Sequence, residues 1–300
     1  MKIFLRILKW LGLVLFVVLV TIIAYLHTID FSVSEEEIAR RFQNATFQPE
    51  FHNLDQNGRN IHYVAVGDKS KPIVMFVHGS PGSWDAFIAY MNNPKLLEAF
   101  RFISVDRHGF GKSGSGKPER SLEVQAEAFA QILKIENSDQ PAFLVGHSYG
   151  GPVIARMAMD FPERVNGLVI VAGSIDPELE KTLWYQIPIH YKVLSWVVPD
   201  LLYSTNEEIL ALKQELEEMV PLWKDITIPV EVIQGGIDEL VPPGNADFAK
   251  QMLVNTEVTM TLIPEMDHFV PWSNPELIRN ALYNMLDKHD ELAELNSSGQ

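Results

Sequence analysis

Ser148 is the residue of this chain whose neighbours best suit it to act as a nucleophile. It is the middle residue of the run G-H-S-Y-G at 146–150, after an apolar run with strand character and before a helical pattern. Glycines two positions before and after a serine allow a tight turn between strand and helix, which exposes the hydroxyl. Such a hydroxyl could attack a carbonyl carbon if a base removed its proton. Taken alone, so short a motif fits a glycine-rich turn with a capping serine better.

Two residues further along the chain supply a base and an acid. Asp238 and His268 each come directly after a predicted strand. In proteins with a G-x-S-x-G turn of this layout, the partners follow in the order serine, acid, histidine. Active sites of open α/β sheets gather at the carboxyl ends of the strands. The predicted triad is therefore Ser148, His268 and Asp238, and Asp176, which also follows a predicted strand, is the alternative acid.

An acyl-transfer site also needs hydrogen-bond donors for the oxyanion that forms during attack. The backbone N–H of Tyr149, at the start of the predicted helix, is one expected donor. The loop 78–82, with the sequence H-G-S-P-G, is expected to supply the other. Pro81 has no N–H, so the donor in this loop is Gly79 or Ser80.

Alternating strand and helix patterns run through most of the chain and must position these residues. Several of the strand patterns are apolar throughout, which is typical of a parallel sheet covered by helices on both faces. The fold class is therefore α/β, with a mostly parallel central sheet. The predicted strands are 61–66, 73–78, 102–106, 143–145, 165–172, 230–234 and 258–263, and the clearest later helices are 122–136, 245–253 and 275–286.

The segment 175–224 interrupts this alternation and is predicted to be a helical cap inserted over the sheet. Its aromatic residues at helical spacing are Trp184, Tyr185, Tyr191, Trp196, Tyr203 and Trp223. Some of them would serve only to pack helices together. The predicted organisation is a membrane anchor at 1–28, a connector at 29–50, the core at 51–174 and 225–288, the cap at 175–224, and a polar tail at 289–300.

These motifs resemble those of α/β-hydrolase-fold enzymes over roughly residues 51–286. The runs that carry the resemblance are H-G-S-P-G at 78–82, D-R-H-G-F-G-K-S at 106–113, the G-H-S-Y-G run, G-I-D at 236–238 and D-H at 267–268. The resemblance implies that Ser148 is the nucleophile and that Ser80 gives the second oxyanion amide. The related epoxide hydrolases and haloalkane dehalogenases carry an aspartate at the nucleophile position, where this chain has serine.

The N-terminal segment 7–26 is long and apolar enough to span a bilayer, which takes about 20 residues of helix. Basic residues precede it and acidic residues follow it: Lys2, Arg6 and Lys9 before, and Asp30, Glu35, Glu36 and Glu37 after. The positive-inside rule then predicts a single-pass protein with a cytoplasmic N-terminus and an extracytoplasmic catalytic domain. A cleaved signal peptide is the alternative, although 22–27 offers no small-x-small cleavage site.

Composition excludes several other classes of function. A net charge of −15 argues against nucleic acid as a partner. The chain has no cysteine, which removes disulfides and thiolate metal sites, and its nine histidines are scattered, so no metal and no cofactor are expected. The G-x-G-x-x-G run at 109–114 does not open directly into a helix, as a dinucleotide site requires, and is expected to be a tight loop beside the active site.

The sequence thus predicts a membrane-anchored serine hydrolase acting on a carboxylic ester, or a related acyl bond, of an apolar small molecule. The same triad would also serve an amide, peptide, thioester or carbon–carbon bond hydrolase. A non-catalytic binding protein built on the hydrolase fold is the third alternative.

Overall fold

The structure is a computed structural model that describes residues 2–28, 32–136, 142–191 and 197–298. One eight-stranded sheet with helices around it forms its centre, which confirms the predicted α/β class. The strands are β1 (Glu50–Gln56), β2 (Arg59–Val66), β3 (Ile73–Val77), β4 (Arg101–Val105), β5 (Ala142–His147), β6 (Val165–Val171), β7 (Val230–Gly235) and β8 (Val258–Ile263). The helices are α1 (Lys2–Leu26), α2 (Glu35–Phe42), α3 (Ile88–Met91), α4 (Pro94–Ala99), α5 (Leu122–Glu136), α6 (Gly150–Asp160), α7 (Gln186–His190), α8 (Asp200–Met219), α9 (Gly244–Met252), α10 (Val270–Ser273) and α11 (Pro275–Ser298).

The sheet order is β1-β2-β4-β3-β5-β6-β7-β8. Strand β2 pairs antiparallel with both β1 and β4, and the strands from β4 to β8 in that order pair in parallel. The carboxyl ends of the parallel strands therefore meet at one edge. Ser148 follows β5, Asp238 follows β7 and His268 follows β8, so this edge gathers all three residues.

Apolar side chains pack on both faces of the sheet and fix the strands. Every residue of β3, β4 and β5 is buried, because helices cover these central strands on each side. Helices α5 and α6 pack together over one face. The interior positions of α11, such as Ile278, Leu282 and Met285, pack over the other face. A rigid, doubly covered sheet is a good support for residues on the loops at its edge.

The chain between β6 and β7 carries α7 and the long helix α8, in the segment where the sequence predicts a cap. Trp223 is fully buried at the end of this segment and packs edge-on against Phe248. Trp184 and Tyr191 are largely exposed. Trp196 lies outside the described residues.

The structure differs from the sequence expectations at both ends of the catalytic domain. Strand β1 was not predicted; it forms a hairpin with β2 through Asn57 and Gly58, whose φ angles are 55° and 80°. An Asn-Gly pair with positive φ at both positions is the usual signal of a two-residue hairpin turn. The segment predicted to be a polar tail, 289–300, is helical as far as Ser298, because α11 continues to that residue. No glycine or proline interrupts 287–298, so nothing in the sequence ends the helix there.

Helix α1 contains a span, Ile3–Leu26, that is long and apolar enough to cross a membrane, and none of it is buried against the rest of the chain. Such a helix is compatible with a membrane anchor or with a signal sequence. Helix α2 follows and begins with a cap, in which the Ser34 hydroxyl accepts a hydrogen bond from the Glu37 amide at 3.2 Å.

Candidate active site

Ser148 occupies a strained turn between β5 and α6. Its φ angle is 54°, in the left-handed region that a non-glycine residue seldom adopts. Three backbone hydrogen bonds hold the turn. The Ser148 amide donates to the carbonyl of Val171 at 3.0 Å, and the Ser148 carbonyl accepts from the amides of Gly151 at 2.9 Å and Ser174 at 3.2 Å. Ser148 is only half-buried, although His147 and Tyr149 on either side are buried. The turn therefore presents this side chain toward the open edge of the sheet.

The two glycines of the motif are required by close backbone contacts. A Cβ at Gly150 would collide with the carbonyl oxygen of Val77 at the end of β3, and a Cβ at Gly146 would collide with the carbonyl oxygen of Gly150. The first residues of α6 therefore lie directly against the central strands. This geometry agrees with the expectation that small residues let the helix approach the sheet.

Asp238 and His268 form a buried pair at the same edge. Nδ1 of His268 lies 2.7 Å from Oδ2 of Asp238, and both residues are almost fully buried. The other carboxylate oxygen, Oδ1, accepts hydrogen bonds from the amides of Leu240 at 2.9 Å and Val241 at 2.8 Å. Burial alone would raise the pKa of Asp238, but the hydrogen bonds from His268 and these amides outweigh it, and the pKa is lowered. Asp238 is thus held as a carboxylate that orients the imidazole.

Asp176, the alternative acid, has other partners. Its Oδ1 accepts a hydrogen bond from the amide of Glu178 at 2.9 Å, and its own amide donates to Oδ1 of Asn245 at 2.9 Å. The carboxylate therefore caps a turn at the entrance to the segment between β6 and β7. The structure pairs the histidine with Asp238.

His147, the residue before the serine, contacts His268 directly. Its Nε2 lies 3.0 Å from the backbone carbonyl oxygen of His268, and the centroids of the two imidazole rings are 4.6 Å apart. Burial, and next the neighbouring His268, lower the pKa of His147 to about 3, so the ring is neutral. A neutral ring that meets a carbonyl oxygen through Nε2 must carry its proton there and donate it. Sequence analysis missed this role, because the position is an unspecified residue of the motif.

The loop 78–82 lies against the serine, where an oxyanion would form. A Cβ built on Gly79 would lie 2.9 Å from the Cβ of Ser148, so only glycine allows the loop this close. The amide of Ser80 and the amide of Tyr149 are the two expected donors. Among the described residues, neither amide donates a backbone hydrogen bond.

Arg107 is a buried cation behind this loop, and sequence analysis missed it too. Its guanidinium donates from Nε to the carbonyl of His78 at 2.9 Å and from a terminal nitrogen to the carbonyl of Gly79 at 3.1 Å. It lies 4.5 Å from the centroid of the Tyr149 ring. Its charge is balanced by Glu208 of α8, whose Oε1 lies 2.6 Å away. One side chain therefore contacts the loop 78–82, the residue after the serine and the segment between β6 and β7.

The G-x-G-x-x-G run forms a tight loop around Asp106. The carboxylate of Asp106 accepts hydrogen bonds from the amides of Lys112 at 2.9 Å and Trp84 at 2.7 Å, and its Oδ2 lies 2.8 Å from Nδ1 of His62. A Cβ at Gly111 would collide with this carboxylate. Gly111 serves this packing, and the run forms a tight loop as expected.

A cavity of about 1200 Å³ lies elsewhere, between the connector, residues 82–85 and the first residues of α8. Its lining residues do not include Ser148, Asp238 or His268. Among residues 2–28, 32–136, 142–191 and 197–298, no group of three or more His, Cys, Asp or Glu side chains is placed to hold a metal ion.

Comparison with known proteins agrees with this fold. Residues 72–196 match the family model of the alpha/beta hydrolase fold. The bifunctional epoxide hydrolase 2 of Sus scrofa is 37% identical over 119 residues, which are 38% of this chain and 20% of that protein. The 2-(acetamidomethylene)succinate hydrolase of Mesorhizobium japonicum is 24% identical over 254 residues, which are 73% of this chain and 89% of that protein.

The curated epoxide hydrolases that the chain matches are aligned over only 20% to 33% of their length. Among solved structures, an epoxide hydrolase of Vigna radiata superposes with a TM-score of 0.62 at 17% identity, covering 80% of this chain and 98% of that one. At that identity, the likeness concerns the fold alone. The sheet order, the turn at Ser148 and these matches lead to one conclusion: the chain has the alpha/beta hydrolase fold.

Proposed function

We propose that this protein is a serine hydrolase that cleaves a carboxylic ester through Ser148, His268 and Asp238. The observation that supports the proposal most strongly is the strained turn that presents Ser148 at the sheet edge to which the hydrogen-bonded pair of His268 and Asp238 also belongs. Strain of this kind persists where the surrounding structure enforces it, and it is common at active sites.

In the proposed acylation step, the Ser148 oxygen attacks the ester carbonyl carbon while Nε2 of His268 removes the hydroxyl proton. The carbonyl π electrons move to the oxygen, which the amides of Ser80 and Tyr149 stabilise. Collapse of this intermediate breaks the bond to the alcohol oxygen. His268 returns the proton to the leaving alcohol, and an acyl-enzyme remains on Ser148.

Deacylation repeats these movements with water as the nucleophile. His268 removes a proton from the water, the hydroxide adds to the acyl carbon, and the Ser148 oxygen leaves and takes the proton back. Asp238 remains a carboxylate throughout and stabilises the imidazolium. The lowered pKa of Asp238 supports this role, since the carboxylate stays ionised at neutral pH.

The identity of residue 148 favours an ester over an epoxide, despite the likeness to epoxide hydrolases. A carboxylate that opens an epoxide forms an ester, which water can hydrolyse. A serine hydroxyl that opened an epoxide would form an ether, which has no carbonyl for water to attack. Ser148 therefore suits acyl transfer, and an epoxide would at most inactivate the enzyme.

Exposed apolar side chains near the triad loops favour a substrate with an apolar part. Phe269 and Trp272 follow the histidine and are about half exposed. The ring of Trp272 also packs edge-on against His147. Trp184 is the most exposed aromatic residue among the described residues between β6 and β7, which are 172–191 and 197–229. Aromatic side chains of this kind bind apolar groups by excluding water.

A panel of substrates with the same acyl group tests this proposal. We expect turnover of nitrophenyl esters, with Ser148→Ala reducing kcat on the order of 10⁶-fold. Ser204→Ala is the matched control, because it removes a buried hydroxyl on α8 and should stay within about threefold of wild type. If the protein turns over an amide, thioester or epoxide in preference to the ester, that bond is the one it cleaves. Ester turnover that survives Ser148→Ala would refute the serine mechanism.

We further propose that α1 is an uncleaved membrane anchor with its N-terminus in the cytoplasm. Support comes from the apolar span, none of which is buried in the described part of the chain. It comes also from the basic residues before the span and the acidic residues after it. The catalytic domain would then lie on the extracytoplasmic side.

Because the chain has no cysteine, single introduced cysteines can report topology. A membrane-impermeant maleimide should label Ser70→Cys, which lies in an exposed loop, on intact cells. Lys2→Cys should react only after the cells are opened. Labelling of Lys2→Cys on intact cells would reverse the orientation, and loss of the N-terminal segment from the mature chain would identify it as a signal sequence.

A further inference from the structure

Arg107 binds the first two backbone carbonyl groups of the loop 78–82. Its guanidinium donates to the carbonyl oxygens of His78 and Gly79, and its own amide donates to Nε2 of His78 at 3.0 Å. Arg107 is fully buried and lies on the loop after β4. These contacts fix where the backbone of residues 78 and 79 lies, but they leave the following residue unrestrained.

Glu208 supplies that missing restraint from a different element. It lies on α8, is fully buried, and its Oε2 accepts a hydrogen bond from the Ser80 hydroxyl at 2.9 Å. The same carboxylate accepts hydrogen bonds from both terminal nitrogens of Arg107, at 2.6 Å and 2.9 Å. Gln125 of α5 completes the cluster, with its amide nitrogen 3.3 Å from Oε1 of Glu208. Arg107 and Gln125 are fully buried, and Ser80 is the half-buried partner of this carboxylate.

We propose that Glu208 is a positioning residue that fixes the oxyanion amide of Ser80 through the Ser80 hydroxyl. The proposal rests on the proposed function, in which the Ser80 amide stabilises the oxyanion. Since Pro81 has no N–H, the loop offers few alternatives to that amide. The Ser80 N–H then keeps its direction only while α8 lies in the observed place. The segment between β6 and β7, which contains α8, therefore helps to set the geometry of the oxyanion hole.

The chemistry of the cluster suits a positioning role better than a purely stabilising one. A buried ion pair adds little to stability compared with apolar packing, because both charges lose their hydration. It does impose one geometry, since a planar guanidinium meets a carboxylate through two parallel hydrogen bonds. In an oxyanion hole, a displacement of about 1 Å can cost about 100-fold in rate. A rigid pair of Arg107 and Glu208 that also binds the Ser80 hydroxyl would prevent such a displacement of the Ser80 amide.

Three variants of the full-length protein in detergent separate positioning from simple packing. Ser80→Ala removes the hydroxyl and keeps the amide, and Glu208→Gln removes the charge. Ser204→Ala is the matched control, because Ser204 lies one turn earlier on α8 and its buried hydroxyl donates to the carbonyl of Gly109 at 2.9 Å, away from the loop 78–82. Glu208→Gln leaves the Arg107 charge without its partner and can misfold, in which case Ser80→Ala carries the test.

The first measurement is the rate at which a fluorophosphonate modifies Ser148, since the phosphoryl oxygen needs the same donors as an ester oxyanion. We expect Ser80→Ala and Glu208→Gln to be modified about 10-fold to 100-fold more slowly. In ester hydrolysis they should lose kcat with KM unchanged, and Ser204→Ala should match wild type. A double variant should be no slower than the slower single variant, because both changes act on the same contact between Ser80 and Glu208.

The second measurement does not depend on activity: it is the NMR order parameter of the backbone amides of Gly79, residue 80 and Gly82. We expect lower order parameters in Ser80→Ala than in Ser204→Ala. If wild type is not modified by the probe but the order parameters still fall in Ser80→Ala, the hydrolase proposal fails and the restraint of the loop 78–82 by Glu208 stands. If Ser80→Ala keeps the wild-type order parameters, or is modified at the wild-type rate, the positioning role is wrong.

Discussion

The imidazole of His147 donates a hydrogen bond to the backbone carbonyl of His268 over 3.0 Å. The residue before the proposed nucleophile therefore holds the loop that carries the proposed base. Because the His147 pKa is lowered to about 3, the ring stays a neutral donor across the physiological range. This contact joins the turn after β5 to the loop after β8.

His147→Phe should impair catalysis without removing the nucleophile. Phenylalanine keeps the ring but cannot donate to the His268 carbonyl, so the base loses a fixed position. We expect kcat to fall about tenfold, the effect of about 1.4 kcal/mol, with KM little changed. His108→Phe is the control. It also keeps a buried ring, and it removes a hydrogen bond away from the triad, the one that joins His108 Nε2 to Oε1 of Gln56 at 2.8 Å. Equal losses in both variants would show that the effect is general destabilisation.

Asp238→Asn should reduce kcat on the order of 10⁴-fold, because an amide cannot hold His268 in the right tautomer or stabilise its charged form. The matched substitution Asp176→Asn should change kcat by less than about fivefold, since that carboxylate caps a turn. Steady-state ester kinetics of both variants decide between the two acids. A larger loss in Asp176→Asn would return the acid role to that residue.

The stability of the fold should fall on mild acidification because three histidines are buried without charge. Burial is the main cause that lowers the pKa of His78, His108 and His147 to about 3 each. The unfolded chain binds protons at these positions below about pH 6.5, while the folded chain does not until about pH 3. The free energy of unfolding should therefore decrease as pH falls through this window, by up to about 1.4 kcal/mol per pH unit for each histidine.

Thermal unfolding at pH 7 and pH 5.5 in detergent checks the expected loss of stability. Most carboxylates remain ionised in this pH range. His108→Gln should show a smaller drop in Tm between the two pH values than wild type does, because one such histidine is gone. A Tm that is independent of pH would contradict the assignment, as would an equal drop in the variant.

Local sequence signals predicted the centre of the site, and contacts between distant segments did not follow from them. The spacing of Gly146, Ser148 and Gly150 encodes its own turn, so neighbouring residues suffice to predict it. The pairing of Asp238 with His268 followed from chain order and strand ends. Arg107 and Glu208 are 101 positions apart and meet only because α8 packs over the loop 78–82, which no periodicity in the sequence specifies.

The missed elements have similar physical explanations. Strand β1 lacks regular alternation of apolar and polar residues, so the Asn57 and Gly58 turn was its only clear signal. The continuation of α11 to Ser298 does not follow from hydrophobic periodicity, because its last turns are mostly polar. Polar residues alone do not end a helix.

Fluorophosphonate labelling followed by identification of the modified peptide tests the central claim most directly. If the Ser148 hydroxyl is activated by His268 at the sheet edge, the full-length protein will carry one phosphonyl group on Ser148, and Ser148→Ala will carry none. Modification of a different serine in the wild-type protein, or no modification at all in the folded chain, would contradict the account.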